Sequence, residues 1–185
     1  MRGRNLLALA LCLAALGCQP PSYRIVAQQD RYRLLFTARE GAAWPPGTDV
    51  PIEARRLTVR DGNRYVWAIE RNEQQAGCSR GGSPPFPVAY GSSLPCYRTL
   101  VEPQPIARTT LYRVDGAGIR HGIGFFRYEP FAGGGRATNL EWEDVAAEVR
   151  NWPVLPDPRA ADQSRKKANA APAAAETNAV SANNP

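Results

Sequence analysis

Few residues in this chain have the types and spacing that catalysis requires. His121 is the only histidine, and no acid or nucleophile motif brackets it. A Ser/His/Asp site could be assembled from Ser92, His121 and Asp115, but the GxSxG motif is absent and nothing in the sequence favours such a site. We therefore predict no catalytic residues, and we interpret His121 as a partly buried strand histidine.

Metal and cofactor sites lack the ligands that they would need. The folded part offers one histidine, two cysteines that are expected to bridge, and scattered carboxylates, and calcium loops of the DxDxDG kind are absent. The run Gly133-Gly134-Gly135 predicts a flexible turn and not a phosphate loop, since no Lys-Ser/Thr follows it. The sequence therefore predicts neither a metal nor a cofactor. Glutamate pairs such as Glu70 with Glu73 could serve as the two carboxylates of a glycosidase, so a small hydrolase is an alternative.

Cys78 and Cys96 form an isolated pair in the middle of the chain. The loop between them, residues 79–95, is rich in glycine and proline and is not expected to hold its shape by core burial alone. An isolated pair bridges in an oxidising compartment. Closing a loop of this length contributes about 3 kcal/mol in the chain-entropy model. Metal ligation would need CxxC spacing and a nearby histidine, so we predict a Cys78–Cys96 disulfide.

The N-terminus carries a short apolar segment with a basic start. Arg2 and Arg4 precede an apolar run over residues 6–16. As a helix this run would be roughly 16 Å long, about half the thickness of a bilayer core. A basic start, a short apolar stretch and small residues at its end are typical of a cleaved export signal.

The residues that end this segment, Ala15-Leu16-Gly17-Cys18, resemble the lipobox of bacterial lipoprotein precursors. Ala15 and Leu16 depart from the usual leucine and small residue, but the required Gly17-Cys18 pair is intact. The resemblance implies a signal peptide over 1–17, a diacylglyceryl group on Cys18 and a short linker to residue 22. The alternative is a plain secretory signal with an incidental cysteine.

The same resemblance predicts a place in the cell envelope. Gln19 is not the aspartate that retains lipoproteins at the inner membrane of enteric bacteria. By that analogy the outer membrane, facing the periplasm, is favoured over the inner membrane. Nucleic acid is not an expected partner for a lipidated, exported chain, although the formal net charge is +6.

Composition divides the remainder of the chain in two. Residues 157–185 are rich in alanine, asparagine, proline and serine and lack Phe, Trp, Tyr, Leu and Ile. Such a segment cannot bury enough apolar surface to offset its ordering entropy, so we predict a disordered tail. Residues 23–156 then form one β-rich globular domain of ordinary size.

The elements that must position any site are predicted to be strands. Short apolar and aromatic runs over 23–28 and 32–39 are bounded by polar, Gly or Pro residues. A hairpin over 52–71 turns at Asp61-Gly62. A three-residue loop with left-handed Gly62 would pair Val59 with Asn63. One face would then hold Leu57, Val59, Tyr65, Trp67 and Ile69.

A second hairpin and a helix complete the predicted domain. The hairpin turns at residues 115–118, and Gly122 and Gly124 alternate along its return strand, which requires an aromatic ring or a ligand over them. Helical spacing over 140–152, with Thr138 and Glu141 as a capping box, predicts one C-terminal helix. A strand over 137–142 is the competing interpretation. The fold class is an antiparallel β-sandwich or barrel-like domain.

The leading functional hypothesis is a membrane-tethered, non-enzymatic binding or scaffold domain. Its expected partners are the membrane through the lipid anchor and anionic envelope polysaccharide, peptidoglycan or another envelope protein, contacted by arginines such as Arg56 and Arg64. The alternative is a small-molecule or peptide-binding module with an aromatic-lined cleft. The aromatic candidates for that cleft are Trp44, Tyr65, Trp67, Tyr90 and Tyr97. A small envelope hydrolase is the second alternative.

Overall fold

The computed structural model describes residues 23–40, 54–78, 86–118, 120–131, 134–160 and 162–163. The predicted signal peptide, Cys18 and Trp44 lie outside these residues. The strands are β1 (Tyr23–Asp30), β2 (Arg33–Glu40), β3 (Arg56–Arg60), β4 (Tyr65–Arg71), β5 (Val88–Ala89), β6 (Tyr97–Val101), β7 (Leu111–Ala117), β8 (Gly122–Phe131) and β9 (Gly134–Leu140), and the helix is α1 (Trp142–Val149).

The strands form one curled, mixed sheet that makes a half-barrel. Eight of them follow the order β5-β2-β1-β8-β7-β3-β4-β6, and β9 also pairs with β8. The predicted mainly β fold with a short helix is confirmed. Purely antiparallel pairing is wrong, because β1 runs parallel to the start of β8. The sandwich is not confirmed, since the described strands belong to a single sheet. Parallel pairing needs a long connection, and no local pattern in the sequence signals it.

The seam between β1 and β8 explains the two strand glycines. A Cβ atom on Gly122 would overlap the ring of Tyr23, and one on Gly124 would overlap the carbonyl oxygen of Ile25. The predicted aromatic ring therefore packs over Gly122, whereas the backbone of β1 lies over Gly124. The alternation along β8 is confirmed, but β7 continues to Ala117, so the turn comes later than residues 115–118.

The inner face of the half-barrel carries the main core. Phe36 packs against Trp67 and Phe126, whose ring centroids lie 6.4 and 5.7 Å away, and Phe126 stacks on Tyr112. These side chains are almost completely buried. Burial of large apolar side chains contributes about 1.5–3 kcal/mol each, which makes this face the main source of stability.

The helix covers part of the outer face. Val145 and Val149 pack against Leu111 of β7 and Phe125 of β8. The helix is shorter than the predicted 140–152, because β9 takes in Leu140 and the helix ends at Val149. Both interpretations of residues 137–142 were thus partly right. The predicted Thr138 cap is wrong, since Asp144 accepts the hydrogen bond from the backbone N–H of Glu141 at the helix start.

The β3–β4 hairpin differs from its predicted register. Val59 pairs with Trp67 and not with Asn63, and Gly62 does not adopt a left-handed φ. The turn is wider because the Asp61 carboxylate accepts a hydrogen bond of 2.9 Å from the backbone N–H of Asn63. A side chain that bonds its own turn competes with the tighter loop.

The wider turn preserves most of the predicted faces. The partner of Val59 is Trp67 instead of Asn63, a shift of four residues. An even shift keeps each side chain on its face, so the inner face still holds Leu57, Val59, Trp67 and Ile69. A bulge between Val59 and Arg60 pairs Arg60 with Tyr65, and Tyr65 lies on the outer face instead of the predicted inner face. Bulges re-aim side chains in this way.

The disulfide between Cys78 and Cys96 is confirmed. Part of the intervening loop, residues 86–95, also packs against the core. Val88 is buried in β5, which pairs with β2, and Phe86 and Leu94 pack against the inner core. Residues 79–85 lie outside the described part of the chain.

Candidate functional site

A cleft of about 480 Å³ lies on the outer face of the sheet, beside the segment that follows the helix. We call it the arginine cleft. Strands β3 and β7 form its floor, because residues two apart along a strand point to the same face. Its lining is Arg56, Thr58, Arg60, Tyr65, Arg113, Asp115, Ala117, His121, Leu155, Asp157 and Pro158.

Two arginines stand directly opposite each other across this floor. Arg60 of β3 pairs in register with Arg113 of β7. Like charges at directly opposed positions of a sheet destabilise it. Burial lowers the pKa of the Arg60 guanidinium, and the charge of Arg113 lowers it further. The cleft therefore holds one directly opposed pair of like charges, although Asp115 and Asp157 in its lining balance two of its three arginines.

The two guanidinium groups differ in their contacts. Arg113 donates to both oxygens of Asp115, at 2.6 Å from Nη2 to Oδ1 and 2.8 Å from Nε to Oδ2. Arg60 lies 5.0 Å over the ring of Trp152, and its Nη1 is 3.5 Å from the carbonyl oxygen of Pro153. Its buried Nε has no hydrogen-bond partner among the described residues. Arg60 thus makes fewer hydrogen bonds to its own chain than Arg113 does.

Asp115 contacts both Arg113 and His121 in the cleft. Its Oδ1 is 3.6 Å from Nε2 of His121, which is half-exposed. Burial raises the pKa of the Asp115 carboxyl, but hydrogen bonds from His121 and Arg113 outweigh burial, and the pKa is lowered below its usual value. An ionised Asp115 therefore orients one arginine and the only histidine.

The C-terminal segment, residues 153–160 and 162–163, crosses the outer face above this floor. Asp157 accepts two hydrogen bonds from Nη1 of Arg56, at 3.0 and 3.2 Å. The first residues that the sequence assigns to the tail over 157–185 therefore contact the sheet. Residues 161 and 164–185 lie outside the described part of the chain.

A second cleft of about 440 Å³ lies farther along the same face and has a different charge arrangement. Glu70 of β4 stands opposite Arg98 of β6 and accepts its hydrogen bond at 2.9 Å. Arg159 donates to the other Glu70 oxygen at 2.7 Å, and Asp162 lies 3.9 Å from Arg98. Burial raises the pKa of Glu70, but its two arginine partners outweigh burial and lower it.

The predicted aromatic residues do not converge on an open cleft. Trp67 is 1% exposed in the inner core. Tyr90 packs against that core and donates its hydroxyl to the carbonyl oxygens of Val66 and Gln104, and Tyr97 donates to the carbonyl of Ala54. Of the predicted rings within the described chain, Tyr65 alone lines the arginine cleft.

The two predicted arginines lie in different places. Arg56 lines the arginine cleft, whereas Arg64 lies in the β3–β4 turn, where it pairs with Asp61. Sequence reasoning missed Arg60 and Arg113 altogether. A usable signal was present in β3, where polar residues alternate with the inward Leu57 and Val59.

Asp115 and His121 were considered together with Ser92 in a hypothetical triad. The structure brings Asp115 and His121 together, but Ser92 Oγ donates to the carbonyl of Ala89, away from the cleft lining. No group of three His, Cys, Asp or Glu side chains suited to a metal ion occurs among the described residues.

None of the helices in the described part of the chain is long and apolar enough to cross a membrane. Comparison of the chain with protein-family models, with curated proteins and with solved structures finds no match.

Proposed function

We propose that this chain is a cell-envelope lipoprotein whose β domain binds an anionic group in the arginine cleft without catalysing a reaction. The lipobox-like residues 15–18 support the anchor, and Gln19 favours the outer membrane over the inner membrane. The Cys78–Cys96 disulfide supports an exported protein, because such bonds persist in oxidising compartments.

One observation carries the binding proposal: Arg60 faces Arg113 across two paired strands. An anion between the two guanidinium groups would replace their repulsion with charge-assisted hydrogen bonds. The planar guanidinium fork matches the oxygens of phosphate and carboxylate groups. Phosphate or carboxylate groups on an envelope molecule are therefore the ligands that fit this cleft best.

Isothermal titration of the purified protein with inorganic pyrophosphate tests this proposal. Arg60→Gln should weaken binding about tenfold or more, since a hydrogen bond to a charged group contributes roughly 1.5–3 kcal/mol. Arg64→Gln is the matched control, because it removes an arginine of the same hairpin that lies outside the cleft. Equal affinity in wild type and Arg60→Gln, or no binding at all, would overturn the proposal.

The anchor is tested separately. Metabolic labelling with a palmitate analogue should mark the wild-type chain and not Cys18→Ala. Unchanged labelling of the Cys18→Ala chain would remove the lipid anchor from the proposal.

A hydrolase acting in the same cleft is the second candidate, and the contact between Asp115 and His121 is the observation that favours it. A carboxylate that orients a histidine is a common general-base arrangement. The described lining offers the hydroxyls of Thr58 and Tyr65 but no serine or cysteine as a nucleophile. The test is hydrolysis of p-nitrophenyl phosphate or p-nitrophenyl acetate by the wild type and by His121→Gln. Activity in the wild type that is lost in the variant would favour a hydrolase over binding alone.

A further inference from the structure

The chain enters the sheet beside the arginine cleft. Tyr23, the first residue of β1, donates its backbone N–H to the carbonyl oxygen of His121 at 3.3 Å. It also pairs in register with Gly122. His121 lines the cleft, so the start of the folded domain and one end of the cleft are neighbours.

The linker limits how far the cleft can lie from the membrane to which the chain is anchored. Five residue steps separate Cys18 from Tyr23, and a fully extended chain covers at most about 3.6 Å per residue, or roughly 18 Å in all. This step rests on the proposed function, because it requires the lipid to be attached at Cys18. Under that condition the end of the cleft at His121 lies close to the lipid head groups.

Strand directions show which arginines share this end. β1 is parallel to β8, β8 is antiparallel to β7, and β7 is antiparallel to β3, so β1 and β3 point the same way. Arg56 begins β3 and therefore lies at the end where the chain enters. Arg60, with Arg113 opposite it, lies four residues farther along β3, about 13 Å from that end. Arg31 and Arg64 lie in the turns that follow β1 and β3 at the opposite end.

A second basic pair stands at the entry end. Arg24 of β1 is opposite Arg39 of β2, one position from Tyr23. Arg39 is exposed, and Arg24 pairs with Glu141. Glu40 lies opposite Tyr23 at the same edge, so the two arginines there are matched by two glutamates and the edge adds no net positive charge to that of the cleft.

We propose that the arginine cleft binds the phosphate of an anionic lipid head group in the same leaflet that holds the anchor. Arg60 supplies a guanidinium fork for the phosphate oxygens. Arg113, whose Nε and Nη2 are held by Asp115, donates through its Nη1. His121 lines the end of the cleft that faces the entering chain. The anchor keeps head groups at a high local concentration, so the cleft can be occupied even when its intrinsic affinity is modest.

Chemical protection of arginines tests this inference on the full lipidated protein. The protein is reconstituted into vesicles of phosphatidylcholine alone or of phosphatidylcholine with an equal part of phosphatidylglycerol. Phenylglyoxal then modifies arginines, and peptide mass spectrometry gives the rate for each one. We expect phosphatidylglycerol to slow modification of Arg60 and Arg113 about tenfold, with Arg64 unchanged. Arg113→Ala should abolish the protection of Arg60.

Three results would overturn the inference. Equal rates at Arg60 in both vesicles would show that lipid does not enter the cleft. Protection of Arg39 without protection of Arg60 would show surface attraction only. Protection of Arg60 by soluble glycerol phosphate, but not by the lipid, would assign the site to free phosphate esters. In that last case the proposed anion-binding function survives, whereas absence of protection by either ligand would count against both.

Discussion

The two clefts of the outer face are built from neighbouring strands yet differ in the charges that oppose each other. Across β3 and β7, Arg60 stands opposite Arg113. Across β4 and β6, Glu70 stands opposite Arg98. The first pair repels and the second attracts. Strand pairing therefore stabilises one cleft and is opposed by side-chain charge in the other.

This difference separates a structural role from a binding role. In the second cleft the buried Glu70 carboxylate has two guanidinium partners of its own chain. In the arginine cleft Asp115 neutralises Arg113, but Arg60 has only an aromatic ring and a distant carbonyl. A fold tolerates a local cost of this kind when function requires it and the remaining core supplies the stability.

Removing the disulfide should produce the largest loss of stability. Cys78 and Cys96 lie beside the second cleft, where the Cys96 carbonyl accepts the backbone N–H of Asn72. The double variant Cys78→Ala/Cys96→Ala should lose about 3 kcal/mol in urea unfolding. Its pyrophosphate affinity should stay near that of wild type, and a collapse of binding would contradict the independence of the two clefts.

Glu70→Gln should have the next largest effect. Glu70 is 6% exposed, and its replacement leaves Arg98 and Arg159 without their shared carboxylate. The loss should be about 2 kcal/mol, below the value for fully buried pairs because both arginines are partly solvated. Glu73→Gln in the same cleft is the control, since Glu73 is exposed and should cost at most about 0.5 kcal/mol. Equal losses of stability in the two variants would show that Glu70 contributes no more than the exposed Glu73.

Acid should weaken the wild type more than Glu70→Gln. The pKa of Glu70 is lower in the folded state than its ordinary value of 4.5. A depressed folded pKa means that the stabilisation is complete above the unfolded pKa and is lost as the pH falls through the folded value. Urea unfolding near pH 7 and near pH 3 should show a smaller difference for the variant. The pKa of Asp115 is also lowered, so both proteins should still lose some stability in acid.

The sequence predicted the inner face better than the outer one. Alternation of apolar residues placed Leu57, Val59, Trp67 and Ile69 together even though the register was wrong, because an even shift keeps side chains on their face. The arginine cleft depends on long-range pairing: β3 meets β7 more than fifty residues later in the chain. No local pattern states that Arg60 will face Arg113. The bulge that moves Tyr65 to the outer face is equally invisible in the sequence.

Arg60→Gln should separate stability from binding. Relief of repulsion with Arg113 should gain about 0.2–1 kcal/mol, and loss of the contact over Trp152 should cost about 0.5–1 kcal/mol. The net change in unfolding free energy should therefore stay within about 0.8 kcal/mol, while pyrophosphate binding falls about tenfold. If the variant unfolds far more easily than Arg64→Gln, Arg60 has a structural role and the contrast between the clefts fails.

Asp157→Asn should have the smallest effect on stability and the opposite effect on binding. Asp157 pairs with Arg56 on the solvent side of the cleft, so the ion pair should contribute about 0.2–1 kcal/mol. Its carboxylate occupies donor positions that an anionic ligand would otherwise use. Removing that negative charge should therefore tighten pyrophosphate binding several-fold, the increase being largest at low salt. Asp30→Asn, which breaks an exposed pair with Arg33 at the far end of the sheet, is the control for a general charge effect. Equal tightening in both variants would mean that the C-terminal segment does not compete for the cleft and that only net charge attracts the anion.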